Sequence, residues 1–186
     1  LKVLNHLEKV LPLTASVIAK PAIGNLEPDF IVIMPNEGFF IIEVKNFSLR
    51  GIKEDLSKGA IKFSNGNITN PLSQVTAHVE QLNQFVMSNY GLDVYKCIGK
   101  LVVFSNFTKL EFMQSFHHSF SKWASNQQVN FERYHAFLDD LEGDFLAHVK
   151  NAKKYLSFPL KIQRSLLLEM AVLMKPRPSI ESAVVF

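Results

Sequence analysis

The chain has 186 residues, 47% of them hydrophobic with 16 Phe, 20% charged, and a formal net charge of +3. That composition supplies a core for one domain and excludes a disordered chain, while the longest apolar runs, around Phe30–Met34 and Phe39–Ile42, are far too short to cross a bilayer. A single cysteine, Cys97, excludes an internal disulfide or a cysteine metal cluster, and the mild positive charge permits nucleic-acid binding without demanding it.

Taken in order, Leu1, Leu4, Leu7 and Leu11 fall at helical spacing and Pro12 ends that run. A short strand is expected at Ser16–Lys20. Asp29–Met34 and Phe39–Phe47 are the clearest strands, joined by Pro35-Asn36-Glu37-Gly38. Ile61–Phe63 and Asn67–Thr69 flank Ser64-Asn65-Gly66, where Asn-Gly favours a tight hairpin. Pro71 opens a helix that runs to about Asn89, with Asn70 as its cap. Lys100–Phe104 reads as a buried strand, Lys109–Trp123 as a helix and His135–Leu138 as a short strand. Asp140–Leu156 reads as one helix capped by Asp139 or Asp140. Leu160–Met174 is a last helix, stopped by Pro176 and Pro178. This order predicts an α/β sandwich with a mixed sheet flanked by helices. No leader of the secretory type opens the chain, and the cysteine content fits a cytoplasmic setting. A start at Leu1, already in helical sequence, reads as a fragment of a longer protein.

The chemistry is concentrated between Glu27 and Lys45. Two nearly unbroken apolar strands imply burial on both faces, yet the second carries Glu43 and Lys45. Buried charges are costly unless paired or bound to metal, and residues two apart on a strand share a face. With Asn36-Glu37-Gly38 as a three-residue loop and Gly38 left-handed, Ile31 opposes Glu43 and Asp29 opposes Lys45, so all three charges converge. A two-residue loop would send Asp29 to the other face. Two carboxylates and a lysine suit metal-dependent phosphodiester hydrolysis: Asp29, Glu43 and the Val44 carbonyl as oxygen ligands for Mg2+ or Mn2+, Lys45 stabilising charge.

Pro28-Asp29 followed by Ile42-Glu43-Val44-Lys45-Asn46, a small hairpin and Asn70-Pro71-Leu72-Ser73-Gln74 resembles the nuclease-related domain (NERD) family of the PD-(D/E)XK nuclease superfamily. The resemblance runs from Leu1 to Phe104 and more weakly to about Leu156. It implies a restriction-endonuclease-like core over residues 1–156, with 157–186 as a C-terminal helical extension or linker. It also implies Gln74 pointing into the active site, and an acidic residue on the first helix as a further metal ligand in some members, for which the candidates are Glu8, whose spacing to the first strand is short, or a residue preceding Leu1. The implied function is a nuclease acting on nucleic acid, DNA first, in DNA processing or defence, with a fused or associated helicase or kinase domain or a homodimer as partner. A fold that binds nucleic acid without cutting it, or an interaction module, is the competing expectation.

Each of these residues has a plainer reading. Glu43 and Lys45 would suit a partly exposed ion pair, Asp29 a strand-start turn, and Gln74 a helix-start hydrogen bond. His78, four residues after Gln74 on the same helical face, is placed with it to contact a metal-bound water or the substrate backbone, but taken alone reads as a surface residue. His117-His118 are adjacent on a helix and do not share a face. Lys150, Lys153, Lys154, Lys161 and Arg164 read as a solvated helix face rather than a phosphate patch. Cys97 reads as an inert core thiol.

Overall fold

A computed structural model describes residues 2–55, 60–115, 128–153 and 162–174. The chain opens with α1 (Lys2–Val10), then β1 (Ser16–Ala19), β2 (Phe30–Met34) and β3 (Gly38–Lys45). A small excursion follows: β4 (Ile52–Asp55), β5 (Ile61–Phe63) and β6 (Ile68–Thr69). Then come α2 (Pro71–Tyr90), β7 (Ile98–Phe104), α3 (Lys109–Ser115), α4 (Gln128–Tyr134) and β8 (His135–Ala136). The described chain ends with α5 (Leu138–Glu142), α6 (Phe145–Asn151) and α7 (Arg164–Leu173).

The central sheet has the order β1-β2-β3-β7-β8. β1, β2 and β3 pair antiparallel, whereas β3–β7 and β7–β8 are parallel. A parallel pair needs a long crossover, and α2 lies within the one joining β3 to β7. Its start is fixed locally: Pro71 sits in the first turn and the Asn70 carboxamide accepts the Ser73 N–H at 3.0 Å. β2 and β3 are central, which explains their unbroken apolar sequence. The result is the expected α/β architecture, a mixed sheet flanked by helices, consistent with a restriction-endonuclease-like core.

Alternation along the strands sorts the core into two layers. Ile31 and Ile33 of β2 and Phe39 and Ile41 of β3 face α2, through Val75, Val79 and Leu82, and Leu167 and Met170 of α7. Val32, Met34, Phe40 and Ile42 face the other way, onto Val3 and Leu7 of α1 and Phe145 and Val149 of α6. At the carboxyl end of β7, Phe104 packs on Phe112 and Phe137 with ring centroids 5.1 and 5.3 Å apart. The many Phe residues thus serve largely as core. Among the described residues no helix is long and apolar enough to cross a membrane.

Several expectations need correction. The β2–β3 register pairs Met34 with Gly38 and Phe30 with Ile42, so the loop is Pro35-Asn36-Glu37 and the left-handed residue is Asn36, at φ 66. Gly38 belongs to the strand instead. It has φ +148, and a Cβ there would lie 2.1 Å from the Cys97 carbonyl oxygen. The loop keeps its odd length, so the faces are unchanged, but the register moves by two. The expected single helix over Asp140–Leu156 is two, broken at Gly143: Asp140 Oδ2 accepts the Phe137 N–H at 2.8 Å, and Asp144 starts afresh by accepting the Ala147 N–H at 3.0 Å. β4 and α4 carry no marked apolar period and were not expected. The far end of the Lys109–Trp123 helix, His117-His118, Lys154, Leu156, Leu160, Lys161 and the closing prolines lie outside the described residues.

The basic face expected to be solvated is not uniformly so. Lys153 is 2% exposed and its ammonium donates to the Glu37 carbonyl at 2.7 Å, while Lys150 pairs with the Glu37 carboxylate at 3.3 Å. Both clamp the β2–β3 turn to the end of α6.

Two consequences can be measured. Gly38→Ala forces a Cβ against the Cys97 carbonyl at a φ that L-residues avoid, which should cost roughly 2–4 kcal/mol in denaturant unfolding; an unchanged midpoint would contradict that strand register. His135 is buried between Phe104 and Phe131. Burial, opposed by a hydrogen bond with the Phe131 carbonyl, lowers its pKa from 6.5 to about 4. The unfolded chain therefore binds more protons between those values, and stability should fall as pH drops through that window, by up to ~3 kcal/mol. Urea titrations at pH 7 and pH 4 should show this loss in the native sequence and a shallower one in His135→Leu; parallel slopes would refute it.

Candidate active site

At the carboxyl end of β3 the apolar strand turns charged. Glu43 and Lys45 sit on the face covered by α2, as strand alternation requires. Glu43 is 5% exposed. Its Oε1 accepts two hydrogen bonds, from Lys45 Nζ and from Gln74 Nε2, each 2.8 Å long. Lys45 Nζ also donates to Gln74 Oε1 at 2.8 Å, closing a three-membered ring of side chains. Asn70 and Pro71 place Gln74 in the first turn of α2, so the motif spacing and the helix start set this geometry.

Asp29 immediately precedes β2, and extending the register puts it level with Glu43 rather than Lys45. Its Oδ2 accepts the Val44 N–H at 2.8 Å, and its Oδ1 is paired with the Lys20 ammonium. Lys45's carbonyl accepts from Ser105 on the β7 side. Backbone groups alternate along a strand, so Val44's N–H and carbonyl both point toward the Asp29 side. Asp29, Val44 and Glu43 therefore bring oxygen acceptors to one strand end.

The structure gathers Asp29, Glu43, Val44, Lys45 and Gln74, but it does not bring Glu8 to them. α1 packs on the opposite face of the sheet through Val3 and Leu7. Glu8 is exposed and lines a separate cavity of about 590 Å³ near Ile33, Pro35 and Arg164. Glu27 is likewise exposed.

The sequence reading missed Lys20 altogether, and of His78 it missed the burial and the approach to Glu43. Lys20 immediately follows β1, across from Asp29, its N–H donating to the Asp29 carbonyl at 2.9 Å; the antiparallel register was the signal that could have found it. His78, read as a surface residue, is 2% exposed. Its Nε2 lies 3.5 Å from Glu43 Oε2, an ion-pair distance too long for a good hydrogen bond. The i, i+4 spacing from Gln74 placed it on the right face, but only the packed sheet makes that face buried. Cys97 is buried as expected, and burial pushes its thiol pKa up.

The donor set fits a hard divalent cation. Glu43 Oε2 is a buried oxygen with no hydrogen-bond partner, and an unsatisfied buried anion is costly. Asp29 and the Val44 carbonyl add oxygens nearby, a set that would suit Mg2+ or Mn2+ with water filling the other positions. Among the described residues no three His, Cys, Asp or Glu side chains form a metal-holding group by themselves, so a cation held here would need backbone and solvent ligands as well. Burial on its own would raise the Glu43 pKa; His78 and Lys45 beside it outweigh that and hold it below its ordinary value of 4.5.

A family model for the nuclease-related domain matches residues 1–105, a span from α1 through β7 that contains the whole cluster. No curated protein and no solved structure matches the chain.

Because its folded-state pKa is depressed, Glu43 contributes stability that is present above about pH 4.5 and lost as pH falls through the lower folded value. Glu43→Gln should therefore lose less stability than the native sequence on acidification below pH 4.5 in chemical denaturation. A variant whose acid limb superimposes on the native one would show that the carboxylate is not held ionised by its neighbours.

Proposed function

Because the chain belongs to the nuclease-related domain family, we propose that it is a metal-dependent nuclease domain that hydrolyses phosphodiester bonds of nucleic acid, DNA foremost. The observation that carries this reading is the ring of Glu43, Lys45 and Gln74 at the end of β3, with the Asp29 carboxylate bonded to the intervening Val44 N–H. A structural ion pair on a strand end needs neither a glutamine from a separate helix nor a second carboxylate.

Asp29, Glu43 and the Val44 carbonyl would hold Mg2+ or Mn2+. When bound, the cation supplies Lewis acidity that neutralises phosphate charge and lowers the pKa of a water. Lys45 commits two of its three N–H donors to Glu43 and Gln74. The third is left to donate to a phosphate oxygen or to the attacking water, and the two fixed bonds keep the ammonium from swinging away. In the hydrolysis, the oxygen of water forms the new bond to phosphorus and the ester P–O bond breaks. A water proton goes to solvent, and the leaving oxygen takes one up. Gln74 acts on the orientation of Glu43 and Lys45. Lys20, paired with Asp29 and itself exposed, is placed to release the carboxylate when a cation competes for it.

The setting in DNA processing or defence, and a helicase or kinase domain fused to or associated with this chain, belong to the same proposal. On α7, Leu168, Val172 and Leu173 are all more than half exposed beside the buried Leu167 and Met170, which supports that helix as a contact face for such a domain or for a second copy.

Cleavage of single-stranded DNA, double-stranded DNA and RNA, with Mg2+, Mn2+ or EDTA, tests the reading. Lys45→Ala and Asp29→Ala should each lower metal-dependent cutting by at least ~100-fold, with circular dichroism showing both variants folded. DNA binding without cutting under either metal would replace the nuclease with a binding module. Loss of both would point to a missing partner or to an interaction module.

A further inference from the structure

The two oxygens of Glu43 are treated differently by their surroundings. Oε1 takes both available donors, Lys45 and Gln74. Oε2 has no hydrogen-bond partner, and neither has either ring nitrogen of His78, whose Nε2 lies 3.5 Å away. Both side chains are nearly sealed from solvent, 3% exposed for His78 and 6% for Glu43, so bulk water cannot satisfy them. Two facing unsatisfied polar groups in a dry site are an expensive coincidence unless they serve each other. His78 cannot easily withdraw, because Val75, Val79 and Leu82 anchor α2 in the core.

We propose that His78 is a positioning residue for Glu43: its Nε2–H, turned onto Oε2, holds the carboxylate in the orientation in which the remaining lone pair of Oε2 accepts a divalent cation. This rests on the nuclease reading of the same site and gives His78, which the sequence only placed on the helical face of Gln74, a defined partner in Glu43. An ionised carboxylate only accepts hydrogen bonds, so the ring must carry its hydrogen on Nε2. Shortening 3.5 Å to a normal length of about 2.9 Å takes a side-chain adjustment well under 1 Å. Lys45 and Gln74 then fix one oxygen and His78 the other, so the carboxylate loses its freedom to rotate before the cation arrives. Hydrogen-bond partners of metal-binding carboxylates typically change metal affinity by about 10–100-fold when removed.

Titration of the full chain with Mn2+ alone, followed by calorimetry or by the Mn2+ electron paramagnetic resonance signal, tests this without reference to catalysis. His78→Leu, which fills the space without a donor, should raise the Mn2+ Kd by about 10–100-fold, and His78→Gln, whose amide nitrogen reaches a similar position, should restore most of it. Thermal unfolding identifies variants that fold, and His78→Asn, polar but too short, replaces the Leu variant should that one not fold. Native-like Mn2+ affinity in a folded His78→Leu or His78→Asn overturns the positioning role while leaving the nuclease reading intact. Weakened binding that Gln does not rescue overturns it in favour of a packing role. A native chain that takes up no Mn2+ overturns the nuclease reading, and the role of His78 with it.

Discussion

A carboxylate buried in the centre of an apolar sheet is the constraint around which the rest of this structure is arranged. Glu43 follows Gly38 and four buried apolar residues on β3, and Lys45 and His78 keep it ionised while Gln74 closes the ring around it. Each partner depends on a different piece of the fold. Lys45 follows from strand alternation, Gln74 from the capped start of α2, and His78 from the packing of α2 against the sheet. Without the sheet and helix in register, Glu43 would be an uncompensated buried charge, the kind of defect that costs several kcal/mol. The site and the fold are in this sense one problem.

The same coupling explains the far ends of the elements. The β2–β3 turn is held by Lys153 and Lys150 on Glu37, and by a glycine that lets β3 pass the Cys97 carbonyl. Those contacts fix the hairpin register, and the register brings Asp29 level with Glu43. At the other end, Ser105 and Asn106 both bond to Asn46, tying the ends of β3 and β7 together behind the charged residues. A cation site built on strand ends needs this stiffness, because loose ligands lose affinity and misplace the reacting atoms.

Much of this was legible locally. Unbroken apolar runs gave the central strands, Asn-Pro gave the helix start, and the period of two put Glu43 and Lys45 on one face. Where the reading failed, a non-local contact had decided. Gly38 looked like the left-handed residue of the turn, but the Cys97 carbonyl, far along the chain, reserves it for the strand, and Asn36 takes the turn. Asp140–Leu156 looked continuous until Asp144 began a second helix. Glu8 had the right chemistry on the right helix, yet α1 covers the face of the sheet away from the cluster.

The sequence by itself determined the chemical identities, the order of the elements and the face on which the acidic and basic residues of β3 lie, because these follow from short-range sterics and side-chain alternation. It also carried the pattern that marks the family. Only the tertiary structure decided which groups meet. Burial of His78, the pairing of Lys20 with Asp29 and the exclusion of Glu8 depend on how α2, β1 and α1 pack on the sheet. Periodicity says which face a residue occupies; what covers that face is settled by contacts between residues distant in the chain, which no local pattern records.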